Sequence, residues 1–203
     1  MRFLNADGSG AKMCGNGLRC VAAFCIDNGF NRDEIKVCTD DGKYAVKVLS
    51  KNPLSVKFRF KNPQTVGLPF LTEKKVWGKE FCGFKVWCIH IGADHAVVMT
   101  DKDSSDCVEQ VLSLPVLKSR VNVDFVKVID KKTVFCKTFE RGVGWTAACG
   151  TGAAAAAYVC RKEGLTEQTA QIRFDGGNLL AKAGKNYVEL TGGAQKEGVF
   201  YGI

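Results

Sequence analysis

The sequence lacks a long apolar run. None of its segments approaches the ~20 consecutive apolar residues that a membrane-spanning helix requires. Its first residues do not show the charged region, apolar segment and small-residue cleavage site of a secretory signal. The chain has 203 residues, 46% of them hydrophobic and 25% charged. We therefore expect a soluble cytoplasmic protein, built as one large domain or two small lobes.

Closely spaced metal ligands are also absent from the sequence. The ten cysteines are scattered, no C-x2-C pair occurs, and Cys88, His90 and His95 form no recognisable ligand set. Disulfide frameworks are typical of short secreted chains, so reduced core thiols and a few reactive ones are expected here. We expect no bound metal.

Basic residues are abundant but not clustered. The net charge is +8, yet the 29 Lys and Arg residues include no run of five and no interleaved aromatic platform. A basic surface that attracts small anionic substrates accounts for the charge equally well, as does an ordinary solvated surface. We predict no nucleic-acid partner and no membrane partner.

An internal repeat is the main signal in the sequence. Residues 13–29 read MCGNGLRCVAAFCIDNG, and residues 148–164 read ACGTGAAAAAYVCRKEG. Each segment has a cysteine, then Gly-polar-Gly, then a helix-like stretch that ends 15 residues after the cysteine in glycine, the residue favoured just past a helix. Strand-like runs around a DDG or DGG turn follow in 35–49 and 170–184. This spacing predicts two related lobes at an offset of 135 residues.

Each predicted lobe presents one cysteine, Cys14 or Cys149, at a helix N-terminus. Free N–H groups and the helix dipole at that end lower the pKa of a thiol and bind a carboxylate. Two such thiols on opposite faces of one carbon are suited to moving an α-proton. One acts as general base and the other as general acid, so the centre inverts without a cofactor. Donors around the α-carboxylate must then stabilise the developing charge.

Two other interpretations of these motifs remain open. The run from Gly150 to Ala155 matches the dinucleotide fingerprint G-x-G-x-x-A, although the upstream ERGVGWTAAC is not a buried strand. Alternatively, Cys14 and Cys149 are packing residues at helix starts. A matched pair of cysteines favours the catalytic interpretation over both.

Two long motifs resemble those of a known family. FLNADGSGAKMCGNGLRC (3–20) and FERGVGWTAACGTGAAAAA (139–157) closely resemble the active-site motifs of diaminopimelate epimerases, and VNVDFVKVID (121–130) resembles the segment before the second motif. Proline racemases and phenazine-biosynthesis-type isomerases match less well. The resemblance implies an α/β (α+β) fold of two pseudo-symmetric lobes, each a barrel-like antiparallel sheet around a central helix, with the site in the cleft.

The same resemblance implies an activity. Enzymes of this family interconvert LL- and meso-2,6-diaminopimelate in lysine and peptidoglycan precursor biosynthesis, without pyridoxal phosphate or metal, and the family suggests a homodimer. Two alternatives stay open: a related two-thiol isomerase of amino or hydroxy acids, and an inactive fragment that only binds ligand or partner protein.

Carried over by motif, the resemblance also assigns site residues. Cys14 and Cys149 are the implied proton donor and acceptor. The implied substrate-binding residues are Asn5, Gly15, Asn16, Asn122, Glu140, Arg141, Gly150 and Thr151. The guanidinium of Arg141 suits a carboxylate, and Glu140 or an Asn suits an ammonium. A surface ion pair is the alternative interpretation of Glu140 and Arg141.

The chain departs from the family motif at two places. The family usually has Gly-Asn-Pro-His where this chain has Gly92-Ala93-Asp94-His95, so an asparagine contact is lost at Ala93 while His95 is expected to support the site. Trp145 stands where the family often has a smaller or acidic residue.

The two predicted lobes differ in length. Residues 60–139 lead into the second motif, whereas only 13 residues precede Cys14. We therefore expect an N-terminally truncated chain. It would have a partial first lobe over residues 1–60, a second lobe over residues 61–195, and a tail over residues 196–203 that returns to the first lobe.

Overall fold

The structure is a computed structural model that describes residues 1–4, 8, 10–67, 75–81, 83–101, 111 and 121–195. Over these residues the chain forms two α-helices, α1 (Gly15–Asp27) and α2 (Gly150–Lys162). The strands are β1 (Phe3–Leu4), β2 (Gly10–Ala11), β3 (Glu34–Thr39), β4 (Gly42–Lys51), β5 (Leu54–Lys61), β6 (Gln64–Thr65), β7 (Lys79–Phe81), β8 (Phe84–His90), β9 (Asp94–Met99), β10 (Asn122–Asp130), β11 (Thr133–Glu140), β12 (Gly144–Thr146), β13 (Thr169–Phe174), β14 (Gly177–Ala183) and β15 (Tyr187–Gly192). Within the described residues, neither helix is long and apolar enough to cross a membrane.

The two helices confirm the predicted repeat. Each has 13 residues, and each begins directly after its cysteine. The glycines predicted to follow them, Gly29 and Gly164, have φ of 83° and 71°. Residues with a Cβ rarely adopt this left-handed conformation, which explains why glycine stands at both positions.

The hairpins that follow the helices repeat as well. β3 pairs with β4 in antiparallel register, and β13 pairs with β14 in the same way. Each hairpin turns at a glycine of positive φ, 140° at Gly42 and 131° at Gly177. The DDG and DGG turns of the sequence are therefore confirmed as equivalent turns in the two halves of the fold.

One continuous sheet joins the strands that surround the two helices. Its order is β3-β4-β5-β15-β14-β13-β11-β10-β9-β8-β6, with β12 on β11 and β7 on β8, while β1 and β2 form a separate pair. α1 packs on β4 and β5, and α2 packs on β8 to β11 and β13 to β15. Each helix thus has its own set of strands, as the predicted two-lobed α+β fold requires.

Two pairings of the sheet are parallel, which the expectation of antiparallel sheets did not include. β9 pairs in parallel with β10, and β11 with β13. Parallel neighbours need a crossover connection, and α2 lies in the connection between β11 and β13. The boundary between lobes at residue 60 stays a prediction, and the tail 196–203 lies outside the described residues.

The second helix is buried along almost its full length. Every residue from Gly150 to Cys160 is buried, including the five alanines of the run 153–157. Strands pack around this helix on several sides. Because the side chain of alanine is a single methyl group, the backbones of these strands can come close to the helix. In contrast, α1 buries only Gly15, Leu18 and Ala22.

The N-termini of the two helices touch each other at a pair of glycines. A Cβ added to Gly15 would lie 3.1 Å from the Cα of Gly150, and a Cβ added to Gly150 would lie 3.0 Å from the Cα of Gly15. The side-chain amide of Asn16 also donates a hydrogen bond of 3.0 Å to the carbonyl oxygen of Ala148. These contacts bring the starts of both helices to one place.

This contact predicts the effect of a single methyl group. Gly150→Ala places its Cβ against the backbone of Gly15, so we expect a loss of about 1–3 kcal/mol in the free energy of unfolding. The measurement is the urea midpoint. Gly10→Ala is the control because a Cβ there meets no atom of the described residues within 4 Å. Equal midpoints for the two variants would contradict the contact.

Candidate functional site

Two cysteines cap the two helices in the same geometry. Cys14 has φ −141° and ψ 115°, and its Sγ accepts a hydrogen bond of 3.3 Å from the backbone N–H of Gly17. Cys149 has φ −126° and ψ 120°, and its Sγ accepts one of 3.3 Å from Gly152. Both thiols therefore stand at the N-terminal end of a helix dipole, as the repeat predicts.

Both cysteines line one cleft of about 420 Å³. This volume suits a small-molecule ligand. The predicted site residues among its walls are Cys14, Gly15, Asn16, Asn122, Glu140, Arg141, Cys149, Gly150 and Thr151. Asn5, also predicted, lies outside the described residues.

The environment of Cys149 differs from the sequence-based expectation. Its thiol was expected to have a lowered pKa, and instead its pKa is raised, chiefly by burial and then by the carboxylates of Glu140 and Asp124. The Thr151 hydroxyl at 3.4 Å and the N–H of Gly152 act in the opposite direction. Burial and two negative charges outweigh these donors, so Cys149 rests as a protonated thiol.

Glu140, Arg141 and Asn122 converge where two strands meet the cleft. The hydroxyl of Thr146 donates a hydrogen bond of 2.7 Å to Oε1 of Glu140. The backbone N–H of Arg141 donates one of 3.0 Å to Oδ1 of Asn122. Glu140 and Arg141 both line the cleft, so a carboxylate and a guanidinium are present there that can bind an ammonium and a carboxylate.

His95 lies beneath the cleft in a buried polar network. Its Nδ1 is 2.7 Å from Oδ2 of Asp124, and its Nε2 is 3.4 Å from Nδ2 of Asn122. Thr138 donates a hydrogen bond of 2.8 Å to the other oxygen of Asp124. The Nδ1–H tautomer of His95 satisfies both of its contacts. His95 therefore contacts the cleft through Asn122, and its supporting role stays a prediction.

Asp124 was missed by the sequence analysis. A Cβ added to Gly152 would collide with its Oδ1, so the start of α2 packs against this carboxylate. The available signal was one acidic residue inside the apolar run VNVDFV. Such a residue is buried only when it has hydrogen-bond partners, and the sequence does not show where those partners come from.

A pair of titratable side chains, His90 and Asp94, also lines the cleft and was not predicted as part of the site. Nδ1 of His90 lies 2.7 Å from Oδ1 of Asp94. This hydrogen bond raises the pKa of His90 and lowers the pKa of Asp94. The sequence had drawn attention to His90 only beside Cys88 and His95, as a group that forms no recognisable metal-ligand set. Within the described residues, no group of three or more His, Cys, Asp or Glu side chains is arranged to hold a metal ion.

Trp145 has a packing position on the outside of the sheet. Its ring lies 5.6 Å from that of Phe125 and 5.5 Å from that of Phe139, between ring centroids. It stays 46% exposed. Such aromatic pairs stabilise neighbouring strands, here β10, β11 and β12.

The chain was compared with solved structures. A phenazine biosynthesis protein of the PhzF family from Bacillus anthracis matches with a TM-score of 0.67 at 14% identity, over 95% of this chain and 76% of that one. At this identity the match shows the fold alone.

Comparisons of the sequence are more specific. The family model described as diaminopimelate epimerase matches residues 1–66 and 87–196. A diaminopimelate epimerase from Acetivibrio thermocellus is 34% identical, over 97% of this chain and 76% of that protein. One from Archaeoglobus fulgidus is 32% identical, over 100% of this chain and 74% of that protein. The chain thus spans about three quarters of these relatives, and it belongs to the diaminopimelate epimerase family.

Proposed function

We propose that this chain interconverts LL- and meso-2,6-diaminopimelate by moving one α-proton between Cys14 and Cys149. The observation that carries the proposal is the pair of equivalent cysteine caps on a single cleft. Membership of the diaminopimelate epimerase family supports the choice of substrate.

The proton transfer needs one thiolate and one thiol. In one direction the thiolate of Cys14 removes the proton from the α-carbon, and the S–H of Cys149 delivers a proton to the opposite face. The raised pKa of Cys149 supports this arrangement, because it keeps that sulfur protonated before the reaction. After turnover the two sulfurs have exchanged protonation states, which is the starting state for the reverse direction.

The carbanion between the two sulfurs needs stabilisation. The N-terminal ends of α1 and α2 meet at Gly15 and Gly150, so both helix dipoles place partial positive charge at the same wall of the cleft. An α-carboxylate bound there is stabilised as negative charge develops on it. The glycines allow the carboxylate to come close to the backbone of both helices.

The polar walls then orient the substrate. We assign Arg141 to a substrate carboxylate and Glu140 to the ammonium of the reacting centre, because the charge of Glu140 acts on Cys149. Asn16, Asn122 and Thr151 supply further polar contacts along the cleft. His95 supports Asn122 from below. Asn5 keeps the substrate-binding role that the motif assigns to it.

The proposal also covers the location, the pathway, the lobes and the assembly of the protein. It places the reaction in the cytoplasm, in the biosynthesis of lysine and of peptidoglycan precursors. It includes two lobes, over residues 1–60 and 61–195, and a homodimer. The chemistry assigned to the two thiols requires neither a metal nor pyridoxal phosphate.

The proton-transfer role predicts the behaviour of cysteine variants. In D2O, NMR should show the chain exchanging the α-hydrogen of LL-diaminopimelate and forming the meso isomer. Cys14→Ala and Cys149→Ala should each lower the rate of epimerisation by about 10²–10⁴, the range for a general acid or base. Cys38→Ala is the control, since Cys38 is an exposed residue of β3. Retained turnover in both site variants would reject the two-thiol mechanism.

The charge of Glu140 predicts a shift in the reactivity of Cys149. Glu140→Gln removes a negative charge that raises the pKa of Cys149, and its amide oxygen can still accept the Thr146 hydrogen bond. Alkylation of Cys149 should therefore begin at lower pH in this variant, because the reactive species is the thiolate. Iodoacetamide labelling across about pH 7–10, followed by peptide mass spectrometry, measures the onset.

Glu34→Gln is the matched control for this measurement, because Glu34 is an exposed residue of β3. Its labelling curve for Cys149 should overlay that of the unmodified chain. An unchanged or higher onset in Glu140→Gln would show that this carboxylate does not act on the thiol.

A further inference from the structure

The turn between β8 and β9 brings a carboxylate to the cleft at a position where the family motif usually has proline. Gly92 in this turn has φ 76°, and a Cβ added to it would lie 3.3 Å from Cγ2 of Thr151 and 3.4 Å from Cγ of Met13. The turn therefore packs against residues next to Cys149 and Cys14. Asp94 follows the turn directly, as the first residue of β9.

Asp94 is held by its neighbour on the opposite strand. His90 and Asp94 are paired in the antiparallel register of β8 and β9, and Nδ1 of His90 lies 2.7 Å from Oδ1 of Asp94. This contact restricts the rotamer of the aspartate. Among the described residues, no hydrogen bond is made to its Oδ2, and its side chain is 52% exposed. One carboxylate oxygen is thus oriented by His90 and the other is available to a ligand.

The two acidic residues of the cleft, Glu140 and Asp94, lie at different positions along it. Glu140 acts on Cys149, so it lies near the reacting carbon. Asp94 begins β9, and β10 separates β9 from β11, the strand that ends at Glu140, so the two carboxylates line the cleft two strands apart. Charged hydrogen bonds to carboxylates are the strong ones for an ammonium group, and the cleft has a second carboxylate, Asp94, in addition to Glu140. The carboxylate of Asp94 therefore fits the ammonium group at the end of the substrate that does not react.

We propose that Asp94, oriented by His90, binds the ammonium group at the non-reacting end of the substrate and so selects a di-amino acid over a mono-amino acid. This inference rests on the proposed function and adds a specificity-determining residue to it. Asp94 is assigned to binding only, so its effect should fall on KM and not on the proton transfer.

Two substrates that differ in one ammonium group test the contact between Asp94 and that group. 2-Aminopimelate has the same carbon chain and both carboxylates as diaminopimelate but lacks the second ammonium group. In Asp94→Asn, KM for LL-diaminopimelate should rise about tenfold, the effect of losing a charged hydrogen bond at a half-exposed site, while kcat stays within about twofold. The α-hydrogen exchange of 2-aminopimelate in D2O should not change.

Variants of His90 test whether this residue positions Asp94. His90→Ala removes the donor to Asp94, so it should raise KM for diaminopimelate by a smaller factor than Asp94→Asn does. His90→Asn, whose amide lies near the position of Nδ1, should restore part of the binding. Glu167→Gln is the control, because Glu167 is an exposed acidic residue whose basic partner is Lys132, at 4.0 Å. Its kinetic constants should equal those of the unmodified chain.

The outcomes separate this inference from the proposed function. If the unmodified chain epimerises diaminopimelate and Asp94→Asn changes both substrates equally, or neither, then Asp94 does not bind the second ammonium and the inference is wrong. If the unmodified chain exchanges neither compound, the proposed function is overturned, and the inference with it.

Discussion

The close approach of Gly15 and Gly150 is the constraint on which the site depends. Two helices that start at the same point must exclude every side chain from that point, and a Cβ on either glycine would lie only 3.0–3.1 Å from the other backbone. This contact sets where Cys14 and Cys149 stand, since each cysteine precedes one of the two glycines. It also brings the positive ends of the two helix dipoles together. The same contact therefore determines both the anion-binding wall of the cleft and the positions of the thiols.

The two cysteines have equivalent backbones but unequal surroundings. Cys149 is 4% exposed and lies near two carboxylates, whereas Cys14 is half-buried at the rim. Burial is therefore stronger than the helix dipole in setting the state of Cys149. A transfer between two sulfurs starts from one thiol and one thiolate, and these surroundings favour the thiol at Cys149.

Much of the fold was predictable because it repeats. The two helices, their closing glycines and the turns at Gly42 and Gly177 all follow from spacings in the chain. The cysteine caps were predictable for the same reason. These features are local, so each is encoded within a short segment.

What could not be predicted depends on contacts between distant segments. The parallel pairing of β11 with β13 arises from the crossover through α2. Asp124 is buried because His95 and Thr138, from two other strands, satisfy it. The link between His90 and Asp94 depends on the register of β8 and β9. A single sequence shows the residues but not the partners that set their charge and burial.

The backbone pairing between β5 and β15 connects the strands that pack on α1 with the strands that pack on α2. It is antiparallel and runs without a shift from the pair Tyr187 and Lys61 to the pair Gly192 and Val56. A strand rises by about 3.3 Å per residue, so a slip of two residues along this ladder would slide one lobe past the other by about 7 Å. That displacement exceeds the reach of a proton transfer. The register of β5 and β15 therefore acts together with the contact of Gly15 and Gly150 in fixing the positions of the two cysteines.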